Sequence, residues 1–262
     1  MKQDIKELIR NKAELIEFKK AQFKACDSSI LIDKEIKSVN KALSTSTEHD
    51  TDTVIKRTII GNTYNWLDSH GDVHLKGTFT KSINERQSKI NHLHDHEQKT
   101  TAKVGKPSKV YEKEVLWSDL GVNKIGSTIA VMMDTNILKD FNSMVFRQYK
   151  DGDIDQHSVG MYYVKIDLAV NDPEEEEEYK VWTENINQIG NKEKAEEAGY
   201  FWAVKEAKLI EISAVLEGSN ELTPTIEAKD IQPSNDTDTE PSRDTQNDSG
   251  KGSDKINYFK FI

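Results

Sequence analysis

Segments with the composition of β-strands are confined to residues 54–218, and this confinement limits what the chain can fold into. Four segments are rich in β-branched or aromatic residues and end in turn formers: VIKRTIIG, STIAVMM, HSVGMYYVKI and IEISAVLEG. Between the second and third, residues 134–152 (DTNILKDFNSMVFRQYKDG) have the apolar spacing of a helix that ends at Gly152. Several strands with few helices predict an α+β domain over residues 54–230, with a mostly antiparallel sheet or barrel.

Two shorter segments of this domain lack strand character. Residues 171–180 (NDPEEEEEYK) are acidic and predict a solvated loop. Residues 191–201 (NKEKAEEAGYF) predict a short helix.

Both ends of the chain differ from the strand-rich domain. Residues 1–45 predict an amphipathic helical arm, because apolar side chains recur at intervals of seven: Ile9, Ile16, Phe23 and Ile30. Such an arm either packs on its own protein or binds a partner. Residues 231–262 predict a disordered polar tail, since residues 231–254 hold almost no apolar side chains. The tail ends in an aromatic hook, INYFKFI, which either docks on a partner or folds back as a strand.

Charge and cysteine content exclude several classes of protein. The net charge of −10 argues against general nucleic-acid binding, which needs a Lys/Arg surface. Cys26 is the one cysteine, so an intrachain disulfide is impossible and a reducing cytosol fits. No apolar run approaches the ~20 residues of a membrane span, and no signal peptide is visible. We therefore expect neither a membrane nor a nucleic acid as partner.

Three of the seven histidines lie in one stretch, INHLHDHEQKT (residues 90–100). Alternating histidines on a strand share one face, so His92, His94 and His96 could converge on a zinc ion. HLHDH is one residue short of the H-x-H-x-D-H pattern of metallo-β-lactamase-like hydrolases, and no later His or Cys cluster follows. We therefore expect no metal and no cofactor. The other interpretations are a catalytic base among bystanders, or a polar turn.

A histidine base needs a hydroxyl or thiol to activate. The best candidate is Ser158, which opens a predicted strand just after a helix and a turn. Gly160, two residues later, would let backbone or substrate approach closely. A serine at this position is equally compatible with an ordinary strand start.

The order of several short motifs resembles the HK97-type phage prohead protease family. The segments that carry the resemblance are DSHGDVHLKGTF, HLHD, SVG and EISAVLEGSNELTP, in that order over roughly residues 54–225. The family implies a fold like that of the herpesvirus assemblins, which is a mostly antiparallel β-barrel with packed helices. The chain departs from the family pattern in three places: Thr78 replaces an alanine, Ala102 stands near a usual Ile-Gly pair, and Glu174 to Glu178 look inserted.

The resemblance implies a catalytic triad. Ser158 of S-x-G becomes the nucleophile, His94 of His-Asp the general base, and Glu211 of EIS the carboxylate that orients the imidazole. The neighbouring histidines leave the base assignment open, and we rank His94 before His96 and His92. His157 is expected to be a bystander, because a strand would turn it to the face opposite Ser158.

The resemblance also implies a function. The chain would be a serine endopeptidase that cleaves the scaffolding region of the phage major capsid protein, and itself, inside the procapsid in the bacterial cytoplasm. A homo-oligomer is compatible with this role, and the tail would serve in encapsidation. Two alternatives stay open: an inactive scaffold or assembly protein of the same fold, and a metal-dependent hydrolase using the three histidines.

Overall fold

The structure, a computed structural model, describes residues 5–25 and 50–226, in which helices pack against one mixed sheet. The strands are Val54–Thr63 (β1), Asp72–His74 (β2), Asn91–His94 (β3), Lys103–Leu116 (β4), Ser127–Leu138 (β5), His157–Val170 (β6), Tyr200–Ala214 (β7) and Thr225–Ile226 (β8). The α-helices are Ile5–Arg10 (α1), Lys12–Ala21 (α2), Thr80–Arg86 (α3), Ser143–Asp151 (α4), Glu176–Asn185 (α5) and Lys192–Ala198 (α6). None of these helices has the length and apolar character that a bilayer crossing requires.

The sheet confirms the predicted α+β class but not the predicted barrel. Its strand order is β2-β7-β3-β4-β5-β1-β8, and β6 pairs with the other edge of β7. β2 and β3 run parallel to β7, and the remaining pairs are antiparallel. Among the described residues no ladder joins β6 to β1 or β8, so the sheet is not closed. β8, as far as the structure describes it, pairs with β1 alone.

Two apolar cores lie on opposite faces of β7. The larger core contains inward-facing residues of most of the strands, with Ile59, Met133 and Ile212 fully buried. The smaller core places Trp182 of α5 against Phe201 of β7, with ring centroids 5.3 Å apart. Both ends of β7, residues 200–204 and 211–214, are therefore buried, and polar side chains there need partners inside the protein.

Two predicted elements differ from the structure. The segment 134–152 begins as strand, because Ile137 pairs with both β1 and β4, and the helix α4 covers only its second half. Asn142 caps α4 by accepting a hydrogen bond from the backbone amide of Val145 at 3.1 Å, and Gly152 ends the helix as predicted. The acidic segment 171–180 is not all loop, because α5 begins at Glu176. The predicted short helix is confirmed as α6.

The first helices of the arm pack on the chain's own core. Leu8 is buried in the larger core, and Ile9 and Ile16 pack against it. Lys12 of α2 pairs with Glu178 of α5 at 2.5 Å, so the apparent acidic insertion contacts the arm. The rest of the predicted arm, residues 26–45, and the predicted tail, residues 231–262, lie outside the described residues.

Two buried histidines belong to a polar network inside the larger core. His157 Nδ1 is 2.9 Å from the carbonyl oxygen of Thr223, so it must carry the proton, and its Nε2 accepts from Tyr149 Oη at 2.8 Å. Tyr149 Oη in turn accepts from His92 Nε2 at 3.0 Å, and His92 Nδ1 accepts from Thr135 Oγ1 at 3.2 Å. When both rings are neutral, each of the four imidazole nitrogens of His92 and His157 therefore has one hydrogen-bond partner.

Burial of these two rings predicts acid sensitivity. Burial lowers the pKa of His157 to about 4 and that of His92 well below its usual range, whereas an unfolded histidine titrates near pH 6.5. Below that pH the unfolded chain binds protons that the folded chain excludes. The contribution of these two histidines to the free energy of unfolding is therefore fully present above pH ~6.5 and is lost as the pH falls toward ~4. His157→Gln should reduce this pH-dependent loss by about 2–3 kcal/mol. Urea titrations at several pH values measure the free energy of unfolding of the native chain and of His157→Gln. The same dependence of this free energy on pH in both proteins would contradict the prediction.

Candidate active site

The carboxylate of Glu211 lies at the centre of the candidate site, fully buried in β7. Its Oε1 is 2.6 Å from His96 Nδ1, and its Oε2 accepts a hydrogen bond from Ser213 Oγ at 2.6 Å. A buried carboxylate needs such donors, since its desolvation is otherwise costly. Both oxygens are therefore committed to fixed partners, and the imidazole of His96 is held in one orientation.

An unusual turn after β3 brings His96 to this carboxylate. Asp95 and His96 both have left-handed backbone conformations, with φ of 50° and 54°. Such conformations are strained for residues other than glycine. They are held by two hydrogen bonds, from Asp95 N to the carbonyl of Ala214 at 2.9 Å and from His96 N to Ser213 Oγ at 3.2 Å. The turn breaks the strand alternation that would have put His96 on the same face as His94.

Ser158 lies on the neighbouring strand, directly opposite Ser213. Cα atoms of directly opposed residues in an antiparallel pair are about 4.5–5.5 Å apart, and their side chains share one face of the sheet. The next position on that face pairs Gly160 with Glu211. A Cβ atom at Gly160 would overlap Glu211 Oε1, which explains why this position has no side chain. Ser158, Ser213 and Glu211 therefore lie on one face of β6 and β7.

The free nitrogen of His96 is suited to accept a proton. An ionised carboxylate only accepts hydrogen bonds, so in the neutral tautomer that fits this contact Nδ1 of His96 donates to Glu211 and Nε2 carries the lone pair. This Nε2 is buried and has no hydrogen-bond partner among the described residues, Ser158 Oγ included. A base without its hydroxyl partner is common in structures without substrate, where catalytic hydrogen bonds are often long. The arrangement can therefore orient an imidazole and leave its basic nitrogen available on the Ser158 face.

The structure brings together two of the three predicted catalytic residues, Ser158 and Glu211, and adds His96 to them. His94 ends β3, is partly exposed, and has its Nδ1 3.3 Å from the carboxylate of its own neighbour Asp95. No contact of His94 with Ser158 or Glu211 is found in the described part of the chain. Ser213, which sequence reasoning missed, was detectable as the second residue after Glu211 on the same strand face.

The three histidines do not converge on a common point. His92 belongs to the buried network with Tyr149, and His96 is paired with Glu211. A group whose ligand atoms lie within 4.8 Å of one another occurs elsewhere: Asp68, Asp72 and His74, all buried.

Lysines of the arm already neutralise this acidic group. Lys24 Nζ is 2.8 Å from Asp68 Oδ2 and 2.5 Å from Asp72 Oδ2, and Lys19 Nζ is 3.0 Å from Asp72 Oδ1. Burial alone would raise the pKa of Asp72, but Lys24 and Lys19 hold it well below its usual range. The Asp72 carboxylate therefore stays ionised beside the two lysine side chains.

Two of the departures from the family pattern fit the fold. Thr78 is buried, and its Oγ1 lies 2.6 Å from the carbonyl oxygen of Val204, so the hydroxyl ties the loop after β2 to β7. Ala102 is buried in the short turn before β4. No family model, no curated protein and no solved structure matches this chain.

The two facing serines are expected to respond differently to truncation. Ser213→Ala removes the donor to Glu211 and the acceptor for the His96 amide, and we expect it to lower the free energy of unfolding by about 1–3 kcal/mol. Ser158→Ala, equally buried on the adjacent strand, should change it by about 0.5 kcal/mol or less. Urea denaturation monitored by tryptophan fluorescence compares the two. Equal losses would contradict the assignment of Ser213 as the support of this site.

Proposed function

We propose that the chain is a serine endopeptidase in which Ser158 is the nucleophile, His96 the general base and Glu211 the orienting carboxylate. The observation that carries the proposal is the buried Glu211–His96 pair, whose unpartnered Nε2 lies beside the strand pair that holds Ser158. An acid, an imidazole and a hydroxyl in this order form the triad that recurs on unrelated folds. His94, which the motif favours, lacks the contact with Glu211.

The chemistry follows from these positions. As Ser158 Oγ attacks the carbonyl carbon of the scissile peptide bond, its proton passes to His96 Nε2. Glu211 stabilises the imidazolium that forms, through the hydrogen bond to Nδ1. The carbon–nitrogen bond breaks, the leaving amine takes the proton from His96, and an ester to Ser158 remains. Water, activated by the same imidazole, then hydrolyses this ester and restores the serine.

The proposed substrate is the scaffolding region of a phage major capsid protein, together with the chain itself. Support comes from the order of the motifs around Asp72, His94, Ser158 and Glu211, which resembles the prohead proteases. Two of these motifs, SVG and EIS, carry residues that face one another in β6 and β7. In this proposal the chain acts in the bacterial cytoplasm, inside the procapsid, without metal or cofactor.

Two other functions make different predictions. An inactive assembly protein of the same fold would need the helical arm and the sheet but not the hydroxyl of Ser158. A metal-dependent hydrolase would need the histidine run, and His92 would then have to leave its buried network.

The test is co-expression of the chain with a phage major capsid protein that retains its scaffolding region, followed by mass spectrometry of the products. The native chain should shorten the capsid protein, and Ser158→Ala should leave it full length. His96→Gln should reduce the rate by at least about 10³-fold, because loss of a triad member removes most of the catalysis.

His94→Gln is the matched control, because it changes a histidine two residues away and should keep at least about a tenth of the activity. A chelator should have no effect. Full activity of Ser158→Ala, or loss of activity on chelation, would refute the serine mechanism. An uncut capsid protein with the native chain would favour the assembly protein.

A further inference from the structure

The outer edge of β6 carries an added piece of strand from the arm. Lys24 pairs antiparallel with Met161, and the two residues exchange both backbone hydrogen bonds, at 2.8 Å and 3.1 Å. This edge is otherwise unpaired among the described residues, since β6 has a ladder only with β7. An extended peptide added to a sheet edge is a common mode of peptide recognition, in which the main chain gives affinity and side-chain pockets give specificity.

The added strand lies against the candidate catalytic site. Met161 is three residues from Ser158 along β6. The ring of Phe23 lies over Gly160. A Cβ atom added to Gly160 would be 2.5 Å from Phe23 Cζ and 1.8 Å from Glu211 Oε1. Phe23 also packs on Tyr162, with ring centroids 5.3 Å apart. The arm therefore covers the face of the sheet on which a substrate would meet Ser158.

The next side chain, Lys24, enters a pocket on the other side of the added strand. Its Nζ contacts the carboxylates of Asp68 and Asp72 and lies 5.8 Å from the ring centre of Tyr163. Tyr163 Oη also donates a hydrogen bond to Asp72. His74 closes the group, with its Nδ1 bonded to Asn62 and its buried Nε2 without a partner among the described residues. The pocket thus offers two anions, an aromatic face and a free lone pair.

The acidic side of this pocket is offset by lysines of the arm. Asp68 and Asp72 are 1% and 0% exposed, and both lysines that neutralise Asp72 belong to the arm. If the arm leaves, both positive charges leave with it. Without the arm no lysine offsets this acidic pair, so a cationic side chain is favoured over a neutral one as the next occupant.

We propose that Asp68, Asp72 and Tyr163 form the subsite that recognises a lysine side chain of the peptide substrate, and that residues 23–25 of the arm occupy this subsite as a built-in competitor. The assignment rests on the proposed peptidase function. It adds the substrate class: an extended segment with an aromatic residue followed by lysine, bound as a further strand on β6. The alternation of Phe23 and Lys24 to opposite sides fits this mode, since successive strand residues point to opposite faces.

The test measures peptide binding in a full-length Ser158→Ala background, so that cleavage does not interfere. A fluorescent peptide with the sequence of residues 19–25, KKAQFKA, is titrated against the chain and followed by anisotropy. Phe23→Ser, which loosens the arm and leaves the acidic pocket intact, should raise affinity for the peptide at least about tenfold. Replacing the last of the three lysines of the peptide, the one that corresponds to Lys24, by norleucine should weaken binding by about tenfold or more.

Two variants separate the pocket from general charge effects. Asp72→Asn in the Phe23→Ser background should abolish the preference for lysine over norleucine. Lys20→Ala is the matched control, because Lys20 pairs with Glu17 of its own helix and should leave peptide affinity unchanged. Circular dichroism checks that each variant is folded, and an unfolded Asp72→Asn is replaced by Tyr163→Phe, for which a smaller loss is expected.

The outcomes distinguish this inference from the proposed function. Equal affinity for the lysine and norleucine peptides, or no binding after loosening of the arm, would overturn the lysine subsite even if capsid cleavage occurs. Lysine-selective binding in a chain that cleaves nothing would support the subsite and refute the peptidase. Lysine selectivity together with cleavage supports both.

Discussion

The buried carboxylate of Glu211 is the interaction on which the candidate site depends. It lies near the C-terminal end of β7, where residues 211–214 are all buried, and its two oxygens have one donor each from His96 and Ser213. The strained turn at Asp95 and His96 persists because these contacts and the β3–β7 ladder stabilise it. Glycine at position 160 leaves the space that the carboxylate occupies. Orientation of the imidazole is thus a property of the fold rather than of one side chain.

The same strand pair also places the arm. β6 pairs with β7 along one edge and with Lys24 along the other. Lys24 of the arm and Glu211 of the site are therefore on the two sides of β6. Covering an open edge protects a sheet from pairing with other chains. Here the cover also brings two lysines to Asp72, and it brings Phe23 over the site. Protection of the edge, charge balance and access to Ser158 are therefore linked through one segment.

Much of the fold could be predicted from the sequence, because β-branched runs and turn formers mark β1, β5 and β6 directly. The adjacency of Ser158 and Glu211 followed only from the resemblance, since the residues are 53 positions apart (211 minus 158) and no local pattern joins them. Strand alternation would put His96 on the same face as His94, and a position in the following turn was the alternative. Alternation could not foresee two successive left-handed residues, which depend on contacts with Ser213 and Ala214.

Other misses have similar physical causes. Apolar spacing in residues 134–142 fits a helix as well as a strand, and pairing with β1 and β4 decides for the strand. Closure of a sheet depends on which distant strands pair, and composition does not encode that pairing. The role of Lys24 was invisible, because the partners Asp68 and Asp72 lie more than forty residues away.

The central claim is that His96 activates Ser158, and the most direct measurement is covalent labelling with a fluorophosphonate. In that reaction serine Oγ forms a bond to phosphorus, fluoride leaves, and the serine proton passes to the base. Intact-mass and peptide analysis should find the adduct on Ser158 in the native chain or in Phe23→Ser. The adduct should also form in His94→Gln. Almost none should form in His96→Gln. An adduct that forms equally fast without the imidazole of His96, or no adduct on Ser158 in both the native chain and Phe23→Ser, would contradict the account.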